Sequence, residues 1–152
     1  MFRSILVAFD RSTHARAALA DAADIARSSG ASLTILSAWS AHLPWAAGAG
    51  LALSQDAFDE LAAWARRGAE EALTEAVALL PDEVTARTVV AEGRPVDTII
   101  QESTAGNHDL VVMGSRGLGD AASLVLGSVS HGVLHRSRVP VLIVPVAAIE
   151  DL

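Results

Sequence analysis

Five short apolar runs alternate with segments whose apolar residues recur at helical spacing, and this alternation restricts the fold more than any other feature of the chain. The first run, Ile5-Leu6-Val7-Ala8-Phe9, stops at Asp10-Arg11-Ser12. Ser12 is placed to cap a helix whose Ala18, Leu19, Ala22, Ile25 and Ala26 keep one face apolar until Gly30 ends it. A second strand is read over Leu33–Ala38, and Ser54 is read as the cap of a long helix carrying Phe58, Leu61, Ala65, Ala69, Ala72 and Ala76 on one face as far as Pro81. Val84–Val90 reads as a third, partly exposed strand. Gly93-Arg94-Pro95 then turns into a helix with Val96, Ile99 and Ile100 inward.

Leu110–Met113 is the fourth strand, Ser128–Arg136 the last helix, and Pro140–Pro145 the fifth strand, whose prolines suit a sheet edge. The resulting β-α-β-α-β-α-β-α-β string predicts an α/β fold: a single open five-stranded parallel sheet with helices on both faces and right-handed crossovers. Residues 1–152 fit one domain of that kind. A mobile loop is expected over Trp39–Leu53, where Pro44, Gly48 and Gly50 interrupt any period. Ligands of open parallel sheets sit at the carboxyl ends of strands. If the first and fourth strands are neighbours, Asp10 and the segment after Met113 open into one crevice.

That segment reads Gly114-Ser115-Arg116-Gly117, nine residues, then Gly127-Ser128-Val129-Ser130. Glycines at the end of a buried strand let backbone approach a ligand, and free N–H groups at a following helix start can hold an anion. Composition limits which anion. Eleven basic against eighteen acidic residues give a net charge of −7, which repels an extended nucleic acid but not a single nucleotide held by local dipoles. All eleven basic residues are Arg. Without Lys there is no Walker A ammonium, no kinase strand lysine and no Schiff base. Cysteine is also absent, which removes thiolate chemistry and disulfides. The start Met1-Phe2-Arg3-Ser4 lacks the plan of a signal peptide, and no apolar run is long enough to span a bilayer, so a cytoplasmic protein without membrane association is expected.

Taken together, Val7–Ser12, Glu92-Gly93-Arg94-Pro95, Asp109–Gly117, Leu126–Ser130 and Val139–Pro145 resemble the universal stress protein family in its nucleotide-binding form, over nearly the whole length. The resemblance implies a Rossmann-like sheet of the adenine nucleotide alpha hydrolase kind. It also implies bound ATP, or AMP or ADP, with magnesium, and a role as nucleotide-linked regulator of a stress response through a protein partner. Gly114, Gly117, Gly127 and Ser128 fill the family's G-x2-G-x9-G-S/T slots and by similarity bind ribose and phosphates. Asp10 and the backbone at Ala38 are placed at the nucleoside, Met113 beneath it, and Ser128, Val129 and Ser130 around the phosphates. Ala38 stands where the family commonly has valine. The family also pairs through its last strand, implying a homodimer through Val141–Val144, with cover by the C-terminal tail as the alternative.

The residue chemistry agrees with these roles, since ionised Asp10 can accept ribose hydroxyl protons or hold hydrated magnesium, while Ser128 and Ser130 can donate to phosphate. The plainer reading makes Asp10 a helix-cap residue and the glycines tight turns. Arg116 is read either as a phosphate contact or as solvated, and Arg11 as a helix-start or surface residue. Weak metal-dependent ATP hydrolysis is the enzymatic alternative, which the missing Lys disfavours. A nucleotide-free stress scaffold is the other. His131 and His135 have the spacing of two zinc ligands but lack a third, and Ser128–Gly132 resembles a hydrolase elbow without room for its partners. Trp39 and Trp45 are read as core or as an apolar lid or partner surface, and Trp64 as helix packing or, less often, a subunit contact.

Overall fold

The apolar runs become strands buried on both faces because helices cover both sides of a parallel sheet. A computed structural model describes residues 1–42, 52–116 and 126–146. Among them the chain runs β1 (Ser4–Ala8), α1 (Thr13–Ser29), β2 (Ser32–Trp39), α2 (Gln55–Ala78), β3 (Ala86–Glu92), α3 (Pro95–Ala105), β4 (Leu110–Gly114), α4 (Ser128–Arg136) and β5 (Val141–Val144). The strands lie in the order β3-β2-β1-β4-β5, all parallel. The chain therefore builds outward from β1 in one direction and then reverses. The reversal falls between β1 and β4, where Ile5, Leu6 and Val7 pair with Leu110, Val111 and Val112.

Side chains alternate across the sheet, so each strand feeds two cores. Ile5, Val7, Leu33, Ile35, Leu110 and Val112 face α1 and α2 and pack on Leu19, Ala22, Ala72 and Leu73. Leu6, Leu36, Val111 and Met113 face the other way, onto Ile99 of α3 and Val133 of α4. Both expected caps form. Ser12 Oγ accepts from Ala15 N–H at 3.0 Å and Ser54 Oγ from Ala57 N–H at 3.2 Å, while Gly30 ends α1 at φ 69°.

Three features differ from expectation. β3 starts at Ala86 rather than Val84, because Val84 N–H is used by Pro81 C=O at 2.9 Å in the preceding turn and the register with β2 runs on to Trp39↔Glu92. By the same pairing Trp39 belongs to β2 and not to a loop, and Ala41 is buried. Residues 43–51 of the expected loop, including Trp45, lie outside the described residues. The third difference concerns α2. Its 24 residues span about 36 Å, longer than any strand beneath it. Burial consequently begins at Ala69, and Phe58, expected to face inward, is exposed.

The amino-terminal end of the sheet is held by polar contacts. Asp109 accepts the backbone N–H groups of Ser4 at 3.0 Å and Arg3 at 2.9 Å, which hold its carboxyl below the usual range. His108 is buried, with Nδ1 2.9 Å from Ser4 Oγ and Nε2 3.5 Å from Glu102 Oε1, too far for a good hydrogen bond. Burial pushes its pKa down, against an opposing pull from Glu102. A lowered histidine pKa means the unfolded chain binds the proton more readily, so this contribution to stability is complete above the unfolded value of about 6.5 and is lost as pH falls through it. The melting temperature is expected to drop between pH 7 and pH 5, and His108→Gln to flatten that slope. An unchanged slope in the variant would exclude His108 as its source.

Candidate functional site

The reversal of strand order leaves a crevice at the carboxyl ends of β1, β2 and β4, and a cavity of about 420 Å³ lies there. Its wall includes Asp10, Ala38, Met113, Gly114, Arg116, Val129 and Ser130, so seven of the residues singled out from the sequence meet around one space. Gly127 and Ser128 adjoin it through Val129 without lining it, and Gly117 lies outside the described residues.

Local chemistry places Asp10. After β1 the chain reverses through Arg11 at φ 68°, a left-handed conformation costly for a non-glycine residue. Asp10 Oδ1 accepts Ser12 N–H at 3.0 Å and braces that turn. Asp10 thus braces the turn before α1, whose cap is Ser12, and this is compatible with a ligand role, because the exposed carboxylate still borders the cavity. Arg11, which also lines the cavity, reaches α2, with Nε 3.2 Å from Glu75 Oε2, and Arg16 donates to the other oxygen of Glu75. Arg16 ties α1 to α2, and Arg11 ties the turn before α1 to the same helix.

Several glycine and serine residues of the 114–130 segment do structural work that the sequence did not disclose. A Cβ on Gly114 would lie 2.6 Å from the His14 backbone carbon, so glycine is required there for α1 to rest on the end of β4. Ser130, expected to donate to phosphate, instead donates to Gly114 C=O at 2.8 Å and also lies 3.2 Å from Ser115 C=O. Gly127 N–H donates to Ser115 C=O at 2.8 Å. Ser115 Oγ in turn meets His14 Nδ1 at 2.8 Å. These bonds fix the start of α4 against the strand end, and nothing in the local pattern pointed to the His14–Ser115 pair. Since no side chain caps α4, the N–H groups of its first turn lack intrahelical partners beside the cavity.

The wall facing α2 was not anticipated either. Trp39, Trp64, Ala65 and Gly68 line it together with Ser37. Trp64 is 69% exposed, which corrects its reading as a packing residue. On the other side, Pro95 and Ile99 close the cavity. Here Gly93, at φ 137°, donates its N–H to Trp39 C=O at 2.8 Å and joins the ends of β3 and β2. Asp97 of α3 binds Arg94 at 2.9 Å and Arg136 of α4 at 2.6 Å. Arg136, then Arg94, hold its carboxyl below the usual range. Among the described residues no group of three or more His, Cys, Asp or Glu could hold a metal, and no helix is long and apolar enough to cross a membrane.

An open parallel sheet with a ligand-sized crevice at its switch point defines a class of small-molecule-binding α/β proteins. Comparison with known proteins gives the family: residues 1–145 match the universal stress protein family, and the chain belongs to it. It is 36% identical over 146 residues to the Thermus aquaticus protein named "Universal stress protein in QAH/OAS sulfhydrylase 3'region", covering 95% of this chain and 99% of that one. Some relatives are longer. Against a Mycobacterium tuberculosis universal stress protein, 35% identical, the chain spans 44% of the relative's length. The fold matches UspA from Lactobacillus plantarum with a TM-score of 0.76 at 24% identity, over 93% of this chain and 97% of that one. It also matches a universal stress protein solved in complex with cAMP, with a TM-score of 0.63 at 29% identity, over 94% of this chain and 97% of that one.

Proposed function

We propose that the protein binds an adenine nucleotide, ATP before AMP or ADP, in the crevice between β1 and β4, and serves as a nucleotide-linked regulator of a stress response through a protein partner. The observation that carries this reading is the convergence of Asp10, Met113, Arg116 and the uncapped first turn of α4 on one cavity. An acceptor-only carboxylate suits ribose hydroxyls, and backbone N–H groups at a helix start suit phosphate. A related protein in complex with cAMP supports the same ligand class. Magnesium fits as a companion of the phosphates. It needs only one or two carboxylates besides phosphate oxygens and water, and Asp10 is the carboxylate at hand.

Residues 117 and 127 belong to this reading by their motif positions, Gly117 and Gly127, and Ser128 by its place in the first turn of α4. The absence of Lys argues for holding rather than turning over the nucleotide. A homodimer through β5 belongs to the reading as well. Among the described residues β5 pairs on one side only, with β4, and an apolar strand edge of that kind favours a second strand. Calorimetric titration of the full chain with ATP and magnesium is the test, alongside mass spectrometry of small molecules released on denaturation. Saturable binding is expected. A folded protein that gives no binding at millimolar ATP would overturn the reading in favour of a nucleotide-free scaffold.

A further inference from the structure

α4 buries one face and leaves the other in solvent. Ser130 and Val133 are buried and Gly132 rests against Val96 of α3, whereas His131 and His135 are exposed on the outer face. Residues four apart on a helix stand one above the other with Cβ atoms about 5–6 Å apart, so the two imidazoles meet. Their ring centres lie 4.4 Å apart with the planes at 61°. Two imidazole nitrogens bound about 2.0–2.1 Å from one metal ion, at right angles to each other, set the ring centres about 4.5 Å apart. The side chains thus already hold the spacing of a chelate, and the nucleotide reading makes no use of them.

We infer that His131 and His135 form a two-nitrogen site for a divalent transition cation, Cu2+ before Ni2+ or Zn2+, with water in the remaining coordination positions. Imidazole suits these ions, whereas a hard cation such as Mg2+ takes oxygen ligands. Three further features favour the site. α4 is pinned at its start by Ser130 Oγ, which donates to Gly114 C=O at 2.8 Å, and at its end by Ser137 N–H, which donates to Val133 C=O at 2.8 Å. The spacing of the pair is therefore set before an ion arrives, and little order is lost on binding. His135 lies in the last turn of the helix, where unpaired carbonyls present partial negative charge to a cation. Arg136, next in sequence, donates to Asp97 at 2.6 Å, which offsets its charge. No cluster of three or more His, Cys, Asp or Glu is placed to hold a metal among the described residues, so the ion is exchangeable rather than locked in a closed structural site. The inference rests on the outer face of α4 and stands apart from the nucleotide reading.

The test is calorimetric titration of the untagged full chain with NiCl2 and, separately, with ZnCl2, together with electron paramagnetic resonance of the CuCl2-loaded protein. Wild type is compared with His131→Ala, His135→Ala, the double variant and, as a control on another exposed imidazole, His42→Ala. Both members of the pair are exposed, so each variant should fold, and thermal melting without metal checks this. Wild type is expected to bind saturably, with coupling from two nitrogens in the copper spectrum. Removing either imidazole turns a chelate into a single contact and should weaken Ni2+ binding about tenfold or more. His42→Ala should bind as wild type does. If either single variant binds Ni2+ within about twofold of wild type, the pair does not act as a chelate and the inference falls. A folded wild type that binds neither Ni2+ nor Zn2+ at millimolar concentration overturns it as well, as does a copper spectrum unchanged in the double variant.

Discussion

Gly114→Ala is expected to lower the unfolding free energy by about 2–3 kcal/mol, measured by urea denaturation, through overpacking of an interface that cannot yield. The added methyl would lie 2.6 Å from both the carbonyl carbon and Cβ of His14 and 2.8 Å from its carbonyl oxygen. These are mostly backbone atoms, and the backbone there is pinned. Ser12 caps α1 two residues before His14, and His14 is held by Ser115 Oγ. Relief would require α1 to lift from β4, opening the core that contains Ala15, Ala18 and Leu19. Gly132→Ala supplies the contrast. The nearest atoms to its methyl would all belong to the Val96 side chain, the closest at 2.9 Å, and a rotamer change can relieve that contact. The Gly132 variant should therefore lose clearly less stability. Equal stability of Gly114→Ala and wild type would mean that the strand end does not bear on α1 as closely as described.

Asp10→Asn is expected to weaken ATP binding about ten- to a hundredfold, the loss for a charge-assisted hydrogen bond, with little change in the stability of the nucleotide-free protein. The asparagine oxygen can still accept Ser12 N–H, so the turn through Arg11 survives. What disappears is the negative charge and the acceptor capacity turned towards the cavity. Asp10→Ala should lose both, since the Ser12 N–H then loses its acceptor at a turn already costly for Arg11. Calorimetry and thermal melting on the same two variants separate the roles. Unchanged ATP affinity in Asp10→Asn would leave Asp10 as a turn brace alone.

These two residues show why one site was only half legible in the sequence. Asp10 was found because it sits where an apolar run breaks, and a strand end in an α/β chain is where ligands gather. Gly114 was found by the same signal but for a different reason, since a glycine fitting a ligand motif also satisfies a close contact between β4 and α1. Ser130 follows this pattern, being named from its motif and then occupied by Gly114 C=O. Local patterns identify residues whose surroundings follow from neighbours in sequence. The His14–Ser115 and Arg136–Asp97 pairs join positions far apart in the chain, and no spacing rule encodes them.

The sequence by itself determined the layers of this protein. Alternating apolar runs and helical periods require a covered parallel sheet, Ser12 and Ser54 set helix starts, and paired prolines put β5 at an edge. Only the tertiary structure decided what the crevice is made of. The β3–β2 register carried Trp39 into a strand, the length of α2 carried Phe58 beyond the core, and packing left Trp64 as an exposed part of a cavity wall rather than a packing residue. Each depends on distances between elements. Those are fixed by packing of side chains from remote parts of the chain, which periodicity along a single segment does not contain.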